Sequence, residues 1–292
     1  MSAFGVQQVQ QVIKFGLQPA VIIGSLWYFI ANQDNPMAYP LVLIGVHLLL
    51  GIVEWRYPAR PHWMKDAKTI VSNVLLVIIL TIAIGAVGAF YGELLAPGLA
   101  DLRQSMGADI WPHHWPIVVQ ILMVFFLSEF IWYWVHRAEH RWSIVWRVSG
   151  HGAHHSFKKL SALNFGLNHP LEFSFLVLPS ALVELFFGVG GAAAAAAVLS
   201  VTQASIAHAN IDLNTKVIGW VFTTNKYHLL HHSMVLEESN TNYGCSAIIW
   251  DRLFGTFSDV TVEEAGTGAS EPTLWQKFIM PIKEPSDTAI AP

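Results

Sequence analysis

The chain has 292 residues, 53% of them hydrophobic and only 12% charged, and its mean hydropathy of +0.45 lies outside the range of ordinary soluble domains. The net charge of −4, with no Lys/Arg-rich stripe carrying interleaved aromatics, argues against a surface that tracks nucleic acid. Cys245 is the single cysteine, which excludes an intramolecular disulfide framework and any Cys-x-x-Cys motif, so histidine is the dense ligand type that remains.

In chain order, apolar segments lie near 17–32, 39–55, 69–96, 115–135, 171–188 and 189–207. Each is long enough to be matched against a hydrocarbon core of roughly 30 Å. The first follows Lys14 and leads into Asn32-Gln33-Asp34-Asn35 without a small-x-small cleavage pattern, so it reads as a retained span. The last two read as a tight hairpin hinged at Gly188-Val189-Gly190-Gly191, either spanning or re-entrant, with the Ala-rich stretch 192–197 allowing close helix packing. The expectation is an all-α, polytopic membrane helical bundle of about four long spans plus a helical hairpin. Six crossings place fifteen of the sixteen Lys and Arg residues on one side and Arg103 alone on the other. The positive-inside rule then makes the basic side cytoplasmic, with both termini there; a bacterial inner membrane is expected ahead of an endoplasmic reticulum.

Between these segments stand the histidine motifs. His136/His140 extend the fourth segment as His-x-x-x-His, and His151/His154/His155 and His228/His231/His232 are two copies of His-x-x-His-His in the polar stretches that follow. Positions i, i+3 and i+4 share a helical face, so each motif is expected to present its imidazoles to one point, within a histidine-rich helical cap on the cytoplasmic side. His208 closes the sixth segment at the same level. That makes nine candidate ligands, too many for one tetrahedral ion and suited to two metals with four or five nitrogens each. His169 precedes a helix-starting proline and is read as facing or orienting the metal site, against a purely structural role. Glu172, Asn210, Asn242 and Asp251 are read as groups that orient imidazole N–H bonds, or alternatively as helix caps and an Asp251–Arg252 pair. Glu139, beside His140, is expected on a different helical face. His47, His62, His113 and His114 look interfacial or structural.

The order His-x-x-x-His, His-x-x-His-His, His-x-x-His-His resembles the integral-membrane fatty acid hydroxylase/sterol desaturase superfamily. The likeness extends through His208-Ala209-Asn210-Ile211, Asn242-Tyr243-Gly244 and Trp250-Asp251-Arg252-Leu253-Phe254-Gly255-Thr256-Phe257, and is strongest toward the sterol-desaturase-like and alkylglycerol-monooxygenase-like branches. It covers roughly 115–257, which it makes the catalytic region, between the transmembrane helices read in 1–114 and the polar tail of 258–292. It also implies a non-haem di-iron oxygenase that uses O₂ and external electrons to hydroxylate or desaturate a fatty acyl, sterol-like or other long apolar lipid. The metal roles carry over to His136, His140, His151, His154, His155, His228, His231 and His232, and to His208. Leu229, Leu167 and the proline-free Thr223-Thr224-Asn225-Lys226 depart from the pattern where polar head groups are often recognised, and Ser149-Gly150 lengthens the interval between His140 and His151.

Imidazoles alone also accept zinc, so a zinc-dependent lipid hydrolase, or zinc in an isolated preparation, remains an alternative, and a metal transporter a weaker one. Neither a Gly-x-Gly-x-x-Gly turn nor a Cys-x-x-Cys-His motif is present, so electrons would come from a separate donor protein. The tail's apolar island, Leu274-Trp275 and Phe278-Ile279-Met280, is read as resting on the membrane or on that donor, or simply as a docked terminus.

Overall fold

The computed structural model describes residues 3–107, 110–214 and 216–285, and the last seven residues of the expected tail lie outside them. Among the described residues all regular structure is helical apart from two isolated bridges, Pro58 with Ile211 and Ser233 with Ala265. The long helices are α1 (Ala3–Ala31), α2 (Ala38–Arg56), α3 (Ala67–Phe90), α4 (Ala96–Ser105), α5 (Ile117–Arg141) and α9 (Gly191–His208). A π-turn, Tyr91–Leu95, joins α3 to α4 into one apolar rod. The Asp66 carboxylate starts α3 by accepting from Thr69 N at 2.8 Å, satisfying one of the free N–H groups at the helix end.

Among the described residues five helices are long and apolar enough to cross a membrane: Gln7–Ala31, Ala38–Arg56, Ala67–Ser105, Ile117–Arg141 and Gly191–His208. The fifth expected segment instead forms α8 (Glu172–Phe187), whose 16 residues rise only about 24 Å, short of a hydrocarbon core. The hairpin is nevertheless present. Gly188, at φ +62°, ends α8 in a left-handed conformation that a side chain would strain, and Gly190 N–H donates to the Glu184 carboxylate at 3.0 Å. Arg103 from α4 reaches the hairpin tip and donates to the Glu184 and Leu185 carbonyls, both at 3.2 Å.

At the centre of the bundle is α9. Its alanines and serines let α1, α2 and α5 approach closely, and 67% of its apolar stretch is buried, against 6% for the α3–α4 rod. Polar contacts tie α9 to α1 (Gln18 Nε2 to Gln203 Oε1, 3.0 Å) and to α5 (Ser200 Oγ to Glu129 Oε1, 2.9 Å). Beyond the end of α5 sit the short helices α6 (Ser143–Ser149), α7 (His151–His155), α10 (Asn225–His231), α11 (Leu236–Ser239), α12 (Ile249–Phe254) and α13 (Leu274–Ile279). They form the expected histidine-rich cap, over a second apolar cluster that includes Trp63, Phe157, Leu160, Leu167, Leu229 and Leu230. Glu54 staples α2 to this cap, its Oε1 accepting from Ala162 N and Asn210 N at 2.8 Å each.

Candidate metal centre

Four helices converge on one buried cluster of imidazoles. His136 and His140 come from the last two turns of α5, and His208 is the last residue of α9. Gly150, at φ +75°, ends α6 and turns the chain so that α7 delivers His151, His154 and His155. His228 and His231 lie on α10 and His232 caps it; the start of α10 is held to the chain after His208 by Asn225 Nδ2, which donates to the Ala209 carbonyl at 3.1 Å and also to that of Ile211. All nine imidazoles are at most 6% exposed.

The nine rings form two groups. His136, His140, His151, His155 and His231 bring one nitrogen each within 4.8 Å of one another, and His154, His208, His228 and His232 do the same. Each His-x-x-His-His triplet is therefore split instead of converging on a single point. His151 and His155 feed the first group while His154 feeds the second; His228 and His232 feed the second while His231 crosses to the first. Helical geometry explains it: residues i and i+4 lie about 40° apart around the axis, whereas neighbours such as His154 and His155 diverge by about 100°. The groups abut, with the His155 and His232 rings stacked at 4.3 Å.

Outer nitrogens orient three rings of the first group. His136 Nδ1 donates to the Tyr243 carbonyl (2.6 Å), His231 Nδ1 to the Thr241 carbonyl (2.8 Å) and His151 Nδ1 to the Glu172 carboxylate (2.6 Å). With the N–H outward, each neutral ring turns an Nε2 lone pair inward. Yet His136 Nε2 stands 2.9 Å from His151 Nε2 and 3.0 Å from His231 Nε2. One proton could bridge one such pair and leave the third lone pair opposed; a cation shared by all three removes the conflict. Two nitrogens at right angles around a metal, each about 2.1 Å from it, stand about 3.0 Å apart. In the second group, His208 Nε2 lies 3.1 Å from His154 Nε2 and 2.9 Å from His228 Nε2, with His208 Nδ1 donating to the Ala204 carbonyl. Burial pushes His151, His154, His155, His228 and His232 well below the ordinary imidazole range and His231 down to about 4, so these rings are neutral lone-pair donors near pH 7. The donor set fits borderline transition metals such as iron or zinc rather than hard, oxygen-seeking ions.

Comparison with known proteins places the histidines within a family region. The sequence profile of the fatty acid hydroxylase family matches residues 121–256, a stretch that contains all nine histidines. The ornithine lipid hydroxylase of Rhizobium tropici is 30% identical over 256 residues, covering 82% of this chain and 74% of that protein. The chain belongs to the fatty acid hydroxylase family. The alkylglycerol monooxygenase of Xenopus tropicalis is 28% identical over 217 residues, 72% of this chain and 44% of that one, and a rice very-long-chain aldehyde decarbonylase is 30% identical over 158 residues, 50% of this chain and 55% of that one. No solved structure matches.

Around the nine histidines, the orienting groups differ in part from the sequence reading. Glu172 does hold His151. Asp251 and Asn242 touch no imidazole and act one step back. The Asp251 carboxylate, which burial pushes up to about 6, accepts from Tyr243 N and Gly244 N at 2.7 Å each and from the Thr256 hydroxyl at 2.6 Å. It thereby fixes the loop whose Tyr243 carbonyl holds His136. Asn242, at φ +56°, donates to the Tyr227 and Ser258 carbonyls and braces the same loop. Asn210 points away from the centre, exchanging hydrogen bonds with the Arg60 backbone, and His169 binds the Phe278 carbonyl at 2.9 Å and so docks α13. Neither meets the metal groups. Glu139, expected on a different face from His140, is fully buried with Oε2 3.7 Å from His151 Nδ1, on the outer side of that ring. Three residues after His136 it lies only about 60° round the helix, a signal present in the sequence. His47 is structural, bonded to the Leu43 carbonyl at 2.8 Å.

Proposed function

We propose that this chain is a membrane di-iron oxygenase that hydroxylates, or desaturates, a C–H bond of a long-chain lipid, using O₂ and electrons from a separate donor protein. The observation that carries it is the pair of abutting all-imidazole groups, five and four nitrogens, sealed at the end of a membrane bundle. His136, His140, His151, His155 and His231 would hold one iron, and His154, His208, His228 and His232 the other. Bound there, two redox-active irons supply the reduction of O₂ that attack on an unactivated alkyl chain needs, which zinc does not.

The protein's own part is positional. The carbonyls of Tyr243, Thr241 and Ala204 and the Glu172 carboxylate lock four rings with their lone pairs inward. Burial keeps bulk water from the donors. Glu139 and Glu172 lie behind His151, on its Nδ1 side, and do not face the cavity as the general base of a hydrolase would. Relatives named for hydroxylation of ornithine lipid and mono-oxygenation of alkylglycerol support a lipid substrate. The fifteen-to-one division of Lys and Arg supports a cytoplasmic active face, where a soluble donor can reach it.

Isotope labelling tests the reaction. Membranes containing the chain, its donor system and lipid, incubated under ¹⁸O₂, should yield a lipid alcohol carrying one ¹⁸O atom. His231→Ala should lose at least about 100-fold of this activity, as expected for an opened coordination sphere, while the exposed His62→Ala retains it. Turnover that proceeds without O₂, or oxygen drawn only from water, would establish hydrolysis instead.

A further inference from the structure

Two short helices of the cap leave large apolar side chains uncovered on the same side. Trp142, just before α6, is 56% exposed, and Ile144 and Val148, one turn apart on α6, are 68% and 52% exposed. Trp275 and Phe278 of α13 and Ile282 beyond it are 67%, 56% and 81% exposed. Although 134 residues separate them, Arg147 joins the two, donating from Nε to the Pro281 carbonyl at 3.2 Å and from Nη2 to that of Ile282 at 3.1 Å. Opposite sides of the same elements are buried: Trp146 packs against His140, and Met280 sits beside Gly152. Both elements are thus amphipathic, one side toward the metal groups and one outward.

We propose that this patch is a lipid-immersed apron, seating the metal centre in the leaflet on its own side of the membrane. Its attachments lead to the end of the spanning α5 and to the base of the α8–α9 hairpin. Trp142 directly follows Arg141, the last residue of the spanning α5, and α6 packs against α5 and α8. His169, three residues before α8, holds α13 through the Phe278 carbonyl. The patch therefore continues the apolar surface of the bundle at the depth where its helices emerge. Exposed Arg141, Arg147 and Lys283 flank it, matching the phosphate level of a leaflet, and tryptophans favour that boundary. A soluble partner would have to bind a surface contiguous with the helices' lipid-facing sides.

Spin labels measure the immersion. In a Cys245→Ala background, the full chain is reconstituted in phosphatidylcholine/phosphatidylglycerol nanodiscs with a nitroxide at Val148→Cys, Trp275→Cys or Ile282→Cys, and at the exposed polar control Glu237→Cys. Collisions with dissolved O₂ should exceed those with a water-soluble nickel chelate at the first three sites, and the order should reverse at 237. Nickel-dominated relaxation at 148 and 282 would place the patch in water, and suppression of both collisions would place it against protein, a second copy included; either overturns the proposal. The three sites lie on two separate segments, so failure of one variant to fold leaves the other segment to decide.

Discussion

At the scale of single residues, the site depends on histidines that stay uncharged where nine of them crowd together. Free imidazole titrates near 6.5, and burial lowers His151, His154, His155, His228, His231 and His232 below that in the folded chain, His231 to about 4. Above pH about 6.5 both folded and unfolded chains hold these rings neutral and nothing is lost. Between that pH and about 4 the unfolded chain takes up protons that the folded chain refuses, so stability falls as pH falls, by up to about 1.4 kcal/mol per ring per pH unit. Metal-free protein in nanodiscs should therefore melt at a lower temperature at pH 5 than at pH 7.5; an unchanged or raised Tm would show that the rings are not buried as described. Eight of the clustered histidines were legible in the sequence because their motifs keep helical spacing, and His208 because it closes the sixth apolar segment at the same level. The roles of Asp251, Asn242 and Asn210 were not, because each depends on a partner brought close only by folding: His136 meets the Tyr243 carbonyl across 107 positions, and Asn210 meets Arg60 across 150.

Single elements carry the centre's shape through their ends. The hairpin of α8 and α9 was legible from its glycines, and α8 departs from the expected segment 171–188 by only one residue at each end, while the contact of Glu172 with His151 needed the fold. Both ends of that hairpin reach the metal groups, Glu172 through His151 and His208 directly. The α6–α7 junction is as demanding. A Cβ at Gly150 would stand 2.6 Å from the His169 ring at a φ of +75°, a left-handed backbone that costs a side chain about 1–2 kcal/mol before any clash. Gly150→Ala should therefore lower Tm by several degrees and expose the chain after residue 270 to protease, because His169 also docks α13. A Tm within error of the parent would contradict the tight packing of this turn.

For the whole molecule, two polar stretches separated by the hairpin must lie on one side of the membrane for the two triplets to meet, as the structure has them. The basic asymmetry read from the sequence agrees: Arg103 alone reaches the hairpin tip, at the opposite end from the histidines. Single cysteines at the exposed positions Lys159 and Glu237 should react with an impermeant reagent from the same side, and one at exposed Ser105 only from the other. Labelling of 159 and 237 from opposite sides would place a bilayer between the two triplets. The identity of the metal is the central claim, and elemental analysis of protein purified without air tests it most directly. Five and four imidazoles in abutting groups predict about two irons per chain, reduced to about one or none in His231→Ala and His154→Ala. Stoichiometric zinc in a preparation already active without O₂ would contradict the account.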